Sequence, residues 1–150
     1  MIDYLSSSQI YLYLQCSLKY KFQYIDRLPK PFKASGLAFG SAVHSALSWF
    51  HKEKMNGNGV TLERLYKIFN ADWYSQKVDT KIRYKNGEAD MNLVVLAKEI
   101  LGLYFQKPIK EVKGSEVHFV VPLINPATGE DIGINIEGFF DLIEKDDTIV

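Results

Sequence analysis

Two stretches of the chain carry residue types and spacings that could do chemistry. The first is GLAFGSAVHSAL, where Gly36, Gly40 and His44 recur at intervals of four. On a helix that spacing puts all three on one face. Each glycine inside a helix costs about 1 kcal/mol relative to alanine. The cost makes sense where another backbone or a ligand comes close on the face that carries His44. The alternative is a helix packed tightly at its glycines, with His44 partly buried and hydrogen-bonded.

The second stretch is IEGFFDLIEKDDTIV at residues 136–150. Asp141 stands among Gly138, Phe139, Phe140, Leu142 and Ile143, a strand pattern apolar on both faces and therefore expected to be central. A carboxylate there costs several kcal/mol to desolvate unless a cation or strong donors satisfy it. A divalent metal is one solution, because hard cations take oxygen ligands. A strand-edge aspartate that reaches water or bonds a neighbouring loop is the other. Glu137, on the same face as Asp141, and Glu116, on the same face as His118, either enlarge an acidic cluster or sit as ordinary surface residues.

The elements that must position these residues are helices first and strands after. Ser6, Ser7 and Ser8 are N-cap candidates for a helix to about Tyr24. Its Tyr11, Leu14, Leu18, Phe22 and Ile25 recur as a buried stripe. LPKPF breaks it with Pro29 and Pro31. A second helix runs from about Gly36 to Lys54, and Thr61 caps a third that carries Leu62, Leu65, Tyr66, Phe69 and Trp73 on one face. A fourth, about Glu88 to Gln106, is apolar nearly all round and so is expected to be well buried. From Glu111 the period becomes two, with Val117, Phe119, Val121 and Leu123 alternating against Glu116, His118, Val120 and Pro122. NPATGED is a turn, and Ile132, Ile134 and Ile136 open the next strand. The fold class is α+β, with N-terminal helices packed on a mixed β-sheet. Residues 1–150 read as one domain whose final core strands are expected to lie past Val150, since Thr148–Val150 starts a further apolar run.

Composition bounds the class without choosing a function. Hydrophobic residues make up 47% and aromatics 13%, enough for a core and against disorder. No apolar run reaches the roughly 18 residues of a membrane span, and MIDYLSSSQ lacks the regions of a signal peptide. One cysteine rules out an internal disulfide framework and fits a reducing, cytoplasmic setting. The 18 basic and 18 acidic residues cancel, but not evenly. Residues 1–33 carry a balance of +3 and residues 130–150 a balance of −6. That arrangement suits a protein that holds a polyanion on one surface and metal cations on another, and it equally describes two solvated faces.

The opening stretch YLSSSQIYLYLQCSLKYKFQYIDRLPKP resembles the start of RecB-type nuclease domains of the PD-(D/E)xK superfamily, including the AddB C-terminal domain and CRISPR-associated RecB-like exonucleases. Such domains begin with a serine-led helix, a cysteine, spaced aromatics and a Y…LP ending, similar to Cys16, Tyr20, Phe22, Tyr24, Leu28 and Pro29. A glycine–three residues–histidine helix follows, here Gly40 to His44. A strand opening on glutamate is matched by Glu116, and a GxxD strand by Gly138 to Asp141. In the family a hairpin then leads to a strand bearing (D/E)xK.

The resemblance implies that His44 and Asp141 are catalytic ligands of a magnesium or manganese ion in a DNA exonuclease of repair, recombination or defence. Residues 1–150 are expected to be inactive by themselves, because the (D/E)xK carboxylate and lysine are expected past Val150. In some relatives the cysteine is one of four ligands to an iron–sulfur cluster. Cys16 is followed by Ser17 where many relatives have proline, and a buried cysteine in the first helix is the expectation here. DNA, a helicase subunit or domain, and a second copy at an exposed sheet edge are the implied partners; a membrane is not. The runner-up readings are a RecB-like module that grips DNA or a helicase without cleaving, and a small α+β interaction protein with chance matches.

Overall fold

The computed structural model describes residues 4–108 and 110–150. In chain order its elements are β1 (Tyr4–Leu5), α1 (Ser7–Gln15), α2 (Ser17–Tyr20), a π-helical turn (Lys21–Ile25), β2 (Lys33–Ala34), α3 (Ser35–Met55), α4 (Leu62–Asp79), β3 (Ile82–Arg83), α5 (Asp90–Gln106), β4 (Val112–Ile124) and β5 (Asp131–Glu144). The architecture is α+β, with the change of period near residue 111 marking the passage from helices to strands. None of the described helices is long and apolar enough to cross a membrane. Contacts divide the described residues into two compact units, one from Met1–Pro29, Glu116–Asp141 and Val150, the other from Lys30–Ser115 and Leu142–Ile149.

The helical unit is built on a stripe of small residues. Ala38, Ala42, Ala46 and Phe50 recur every fourth residue of α3 and are at most 1% exposed. They form one core with Leu65, Phe69 and Trp73 of α4 and Leu93, Ala97 and Leu101 of α5. Alanine at three successive contacts lets neighbouring helices approach closely along their ridges. The Phe69 and Trp73 rings lie parallel, with Phe39 edge-on to both. Thr61 caps α4 as expected, its hydroxyl accepting from Arg64 N at 3.3 Å. At the start of α5, Asp90 accepts from Trp73 Nε1 at 3.0 Å, Lys77 Nζ at 3.1 Å and the Tyr84 hydroxyl at 3.1 Å. A two-residue parallel pair, Lys33 with Ile82 and Ala34 with Arg83, ties the start of α3 to the end of α4. The all-round burial expected of α5 is not found: Met91, Val95 and Leu103 are at least half exposed. Among the described residues, neighbours bury the face of that helix that carries Leu93, Ala97 and Leu101.

In the other unit Ser6 caps α1, its hydroxyl accepting from Gln9 N at 3.3 Å. The continuous helix to Tyr24 is interrupted, because Cys16 is extended (φ −163°, ψ 103°), and α2 and the π-helical turn follow. The stripe assigned to the core is instead solvent-facing, from 43% at Phe22 to 77% at Leu14. Its 3.6-residue period does not carry across the break and the wider π turn. Gln9 and Tyr20 are the residues buried here, and Tyr20 packs against Tyr13 and Tyr24 with ring centroids 5.5 and 5.2 Å away. Cys16, expected buried, is exposed at the helix break.

The sheet of this unit has the order β1-β5-β4. The central place expected for the GxxD strand is therefore found among the described strands. β1 runs parallel to β5, with Tyr4 opposite Asn135 and Leu5 opposite Ile136. β4 and β5 form a hairpin whose turn is closed by Asn125 N donating to Glu130 O at 2.9 Å, with Gly129 at φ 76°. On one face Phe119 and Phe140 stack at 4.6 Å. Gly138 is required on that face, since a Cβ there would lie 2.7 Å from the Phe119 ring.

Candidate metal centre

Asp141 ends the GxxD run of β5, and Glu116 stands on β4. Both belong to the strand-bearing unit. A carboxylate oxygen of each lies within 4.8 Å of the other. Glu116 has φ 57°, in the left-handed region that a residue with a Cβ rarely adopts. Holding it there costs about 1–2 kcal/mol, and such conformations cluster where a side chain must be aimed at a particular point. His118, two residues on, turns toward Glu137 (3.6 Å) and stacks on Phe139 (4.8 Å). Glu137 thus faces His118.

The expected reason for a metal at Asp141 needs correction. Asp141 is exposed, although its strand is central, and Glu116 is half-buried. Desolvation does not force a cation onto Asp141. What favours one is the spacing. Metal–oxygen bonds of about 2.0–2.1 Å let one ion span oxygens about 4 Å apart, so the pair closes on an ion with a movement of less than 1 Å. The donor set and its spacing fit a hard divalent ion.

His44 lies on α3, in the helical unit. It shares an exposed face with Gly36 and Gly40, opposite the alanine stripe. The close backbone approach expected at the glycines is absent, since a Cβ at either would meet nothing within 4 Å. Among the described residues, packing at these two positions does not offset their cost.

Sequence reasoning gave Glu116 a lesser place than His44 and Asp141. Its left-handed backbone, which sets its aim, leaves no mark in residue identity. It also missed the hydrogen-bonding role of Asp90 and the burial of His51 on α3, which is 2% exposed.

The model of the PD-(D/E)XK nuclease superfamily matches residues 4–150 of the chain. No curated protein and no solved structure matches it.

Proposed function

Because the chain belongs to the PD-(D/E)XK nuclease superfamily, we propose that it forms part of a metal-dependent deoxyribonuclease in which His44, Glu116 and Asp141 hold the ion. The observation that carries this reading is the Glu116–Asp141 pair, two carboxylates within 4.8 Å on neighbouring strands. One imidazole and two carboxylates suit magnesium or manganese; Glu116 and Asp141 lie together within one unit, and His44 is assigned to the ion by the resemblance of its glycine–histidine helix. When bound, such an ion lowers the pKa of a coordinated water and offsets charge on a phosphodiester. The chain's own contribution is to fix the ligands: Gly138 lets β5 lie against Phe119, and the left-handed backbone of Glu116 aims its carboxylate at Asp141.

The finer reading follows the RecB-type resemblance: exonuclease action on DNA in repair, recombination or defence, in the cytoplasm, alongside a helicase, with all 150 residues in one domain. No (D/E)xK follows Asp141 within the chain, and a water left without an orienting lysine is a poor nucleophile. Residues 1–150 by themselves should therefore bind the ion weakly and cleave slowly or not at all.

Titration calorimetry with manganese tests the proposal. Asp141→Ala, Glu116→Ala and His44→Ala should each weaken binding about tenfold or more, within the 10–100-fold loss typical when metal-site residues are changed. Unchanged affinity in Asp141→Ala would overturn it. Cleavage of labelled DNA by residues 1–150 that survives Asp141→Ala would place the chemistry elsewhere.

A further inference from the structure

Phe139 is 61% exposed in the middle strand of the three-stranded sheet. A lone exposed apolar side chain asks for no explanation, but three observations set this one apart. It is not spare core material, since the opposite face of β5 is already filled by the Phe140–Phe119 stack. It does not stand alone, because the half-exposed His118 ring lies 4.8 Å away at 33°, giving a continuous two-ring surface. Glu137 lies 3.6 Å from His118 Nε2. Finally, Phe139 and Asp141 are two residues apart on one strand, so they share a face with about 7 Å between their backbones.

We propose that Phe139, backed by His118, is the surface on which an unpaired nucleobase stacks when its strand's phosphate reaches the Glu116–Asp141 pair. The inference rests on the nuclease reading and adds how the substrate is held. Aromatic rings bind bases through their π-faces whatever the sequence, and removing one such ring weakens single-strand binding by roughly five- to a hundredfold. A base inside a duplex is already stacked and reaches Phe139 only after being pulled out. The site therefore selects single strands or frayed ends, with little base preference.

The test uses the full 150-residue chain, with calcium present, a labelled oligothymidylate and its duplex with oligoadenylate. Phe139→Ala should weaken single-strand binding about tenfold and duplex binding much less, with Phe139→Trp restoring the wild-type value. A fluorescent base analogue in the strand should be quenched by the wild type and by Phe139→Trp, and not by Phe139→Ala. Phe139→Leu should behave like Phe139→Ala, because bulk without a ring does not stack.

Full affinity in Phe139→Ala or Phe139→Leu overturns the stacking role. So do equal losses on single strand and duplex, or a change confined to self-association in sedimentation. Manganese binding separates the two layers. If Asp141→Ala abolishes it and Phe139→Ala leaves it intact, a normal single-strand affinity in Phe139→Ala sinks the stacking alone. If Asp141→Ala leaves it intact, the nuclease reading fails and this placement fails with it.

Discussion

Glu116 and Asp141 meet with carboxylate oxygens inside 4.8 Å, and Glu116 does so from a left-handed backbone at φ 57°. The left-handed backbone opposes stability through strain. A residue that served only the fold would relax out of that strain.

That opposition sets the first prediction. Glu116→Gly should relieve about 1–2 kcal/mol of strain and give back about 0.4–1 kcal/mol through the freer unfolded chain. The net gain in unfolding free energy without metal should be up to about 1.6 kcal/mol, while manganese affinity falls. Glu116→Val, which keeps a bulky Cβ and loses the ligand, should lose on both counts. Urea unfolding with and without manganese reads both quantities. A less stable Glu116→Gly would show that the strain argument is wrong.

Metal should also stabilise the wild type by mass action. Free manganese at about 100 times its dissociation constant adds about 2.7 kcal/mol if it binds only the folded state. The melting temperature should rise with manganese in the wild type and rise clearly less in Asp141→Ala. An equal rise in both would place the ion at another site.

The two faces of α3 should respond oppositely to added methyl groups. Gly40 lies open, with nothing within 4 Å of a built Cβ, so Gly40→Ala should stabilise by up to about 1 kcal/mol. Ala42 is fully buried, so Ala42→Leu should cost about 1–3 kcal/mol through overpacking. If Gly40→Ala stabilises the fold and also weakens DNA binding, the open glycine face is reserved for substrate.

The contrast shows which parts of this chain the sequence displays. Caps at Ser6 and Thr61, helices α3 to α5 and the β4–β5 hairpin follow from local chemistry, and each was readable. β1, β2 and β3 are two-residue strands made by pairing with distant segments, so no local period announces them. The stripe from Tyr11 to Ile25 reads as a buried face only if the helix is continuous, and the extended Cys16 breaks that condition. At the candidate site the residue types of Asp141, Glu116 and His44 were visible. The exposure of Asp141 and the aim of Glu116 depend on the tertiary sheet and on one backbone dihedral.

Asp90 should be the most costly polar residue of the helical unit to remove. Burial pushes its carboxyl up, and the bonds from Lys77, Tyr84 and Trp73, with the Lys77 charge, more than offset this and leave it below the usual 3.8. Asp90→Ala should cost about 1–3 kcal/mol, because Trp73 Nε1, in a residue 2% exposed, loses its acceptor. A carboxyl with a depressed folded pKa contributes stability above its unfolded value and loses it as pH falls through the folded one. The wild type should therefore outlast Asp90→Ala near pH 5 and lose part of that margin below pH 3.8. An undiminished margin there would mean that ionisation of Asp90 contributes nothing.

His51 should govern acid sensitivity in a milder range. Its ring lies in the core of α3, with Nε2 2.7 Å from the Tyr104 hydroxyl and Nδ1 buried without a partner. Burial disfavours the imidazolium and holds the pKa below 6.5. Between that lowered value and 6.5 the unfolded chain binds more protons than the folded one, so unfolding free energy rises with pH across the window. The stability His51 permits is complete above about pH 6.5 and falls as pH drops, levelling off below the folded pKa. His51→Phe keeps an aromatic ring of similar size and removes the titration, at the cost of leaving the Tyr104 hydroxyl without this contact. Its unfolding free energy should be lower than wild type at pH 7.5 and nearly flat from pH 7 to pH 5. The wild type should decline over the same interval, so the two curves converge. Parallel curves in urea melts across that range would show that the acid response belongs to another group.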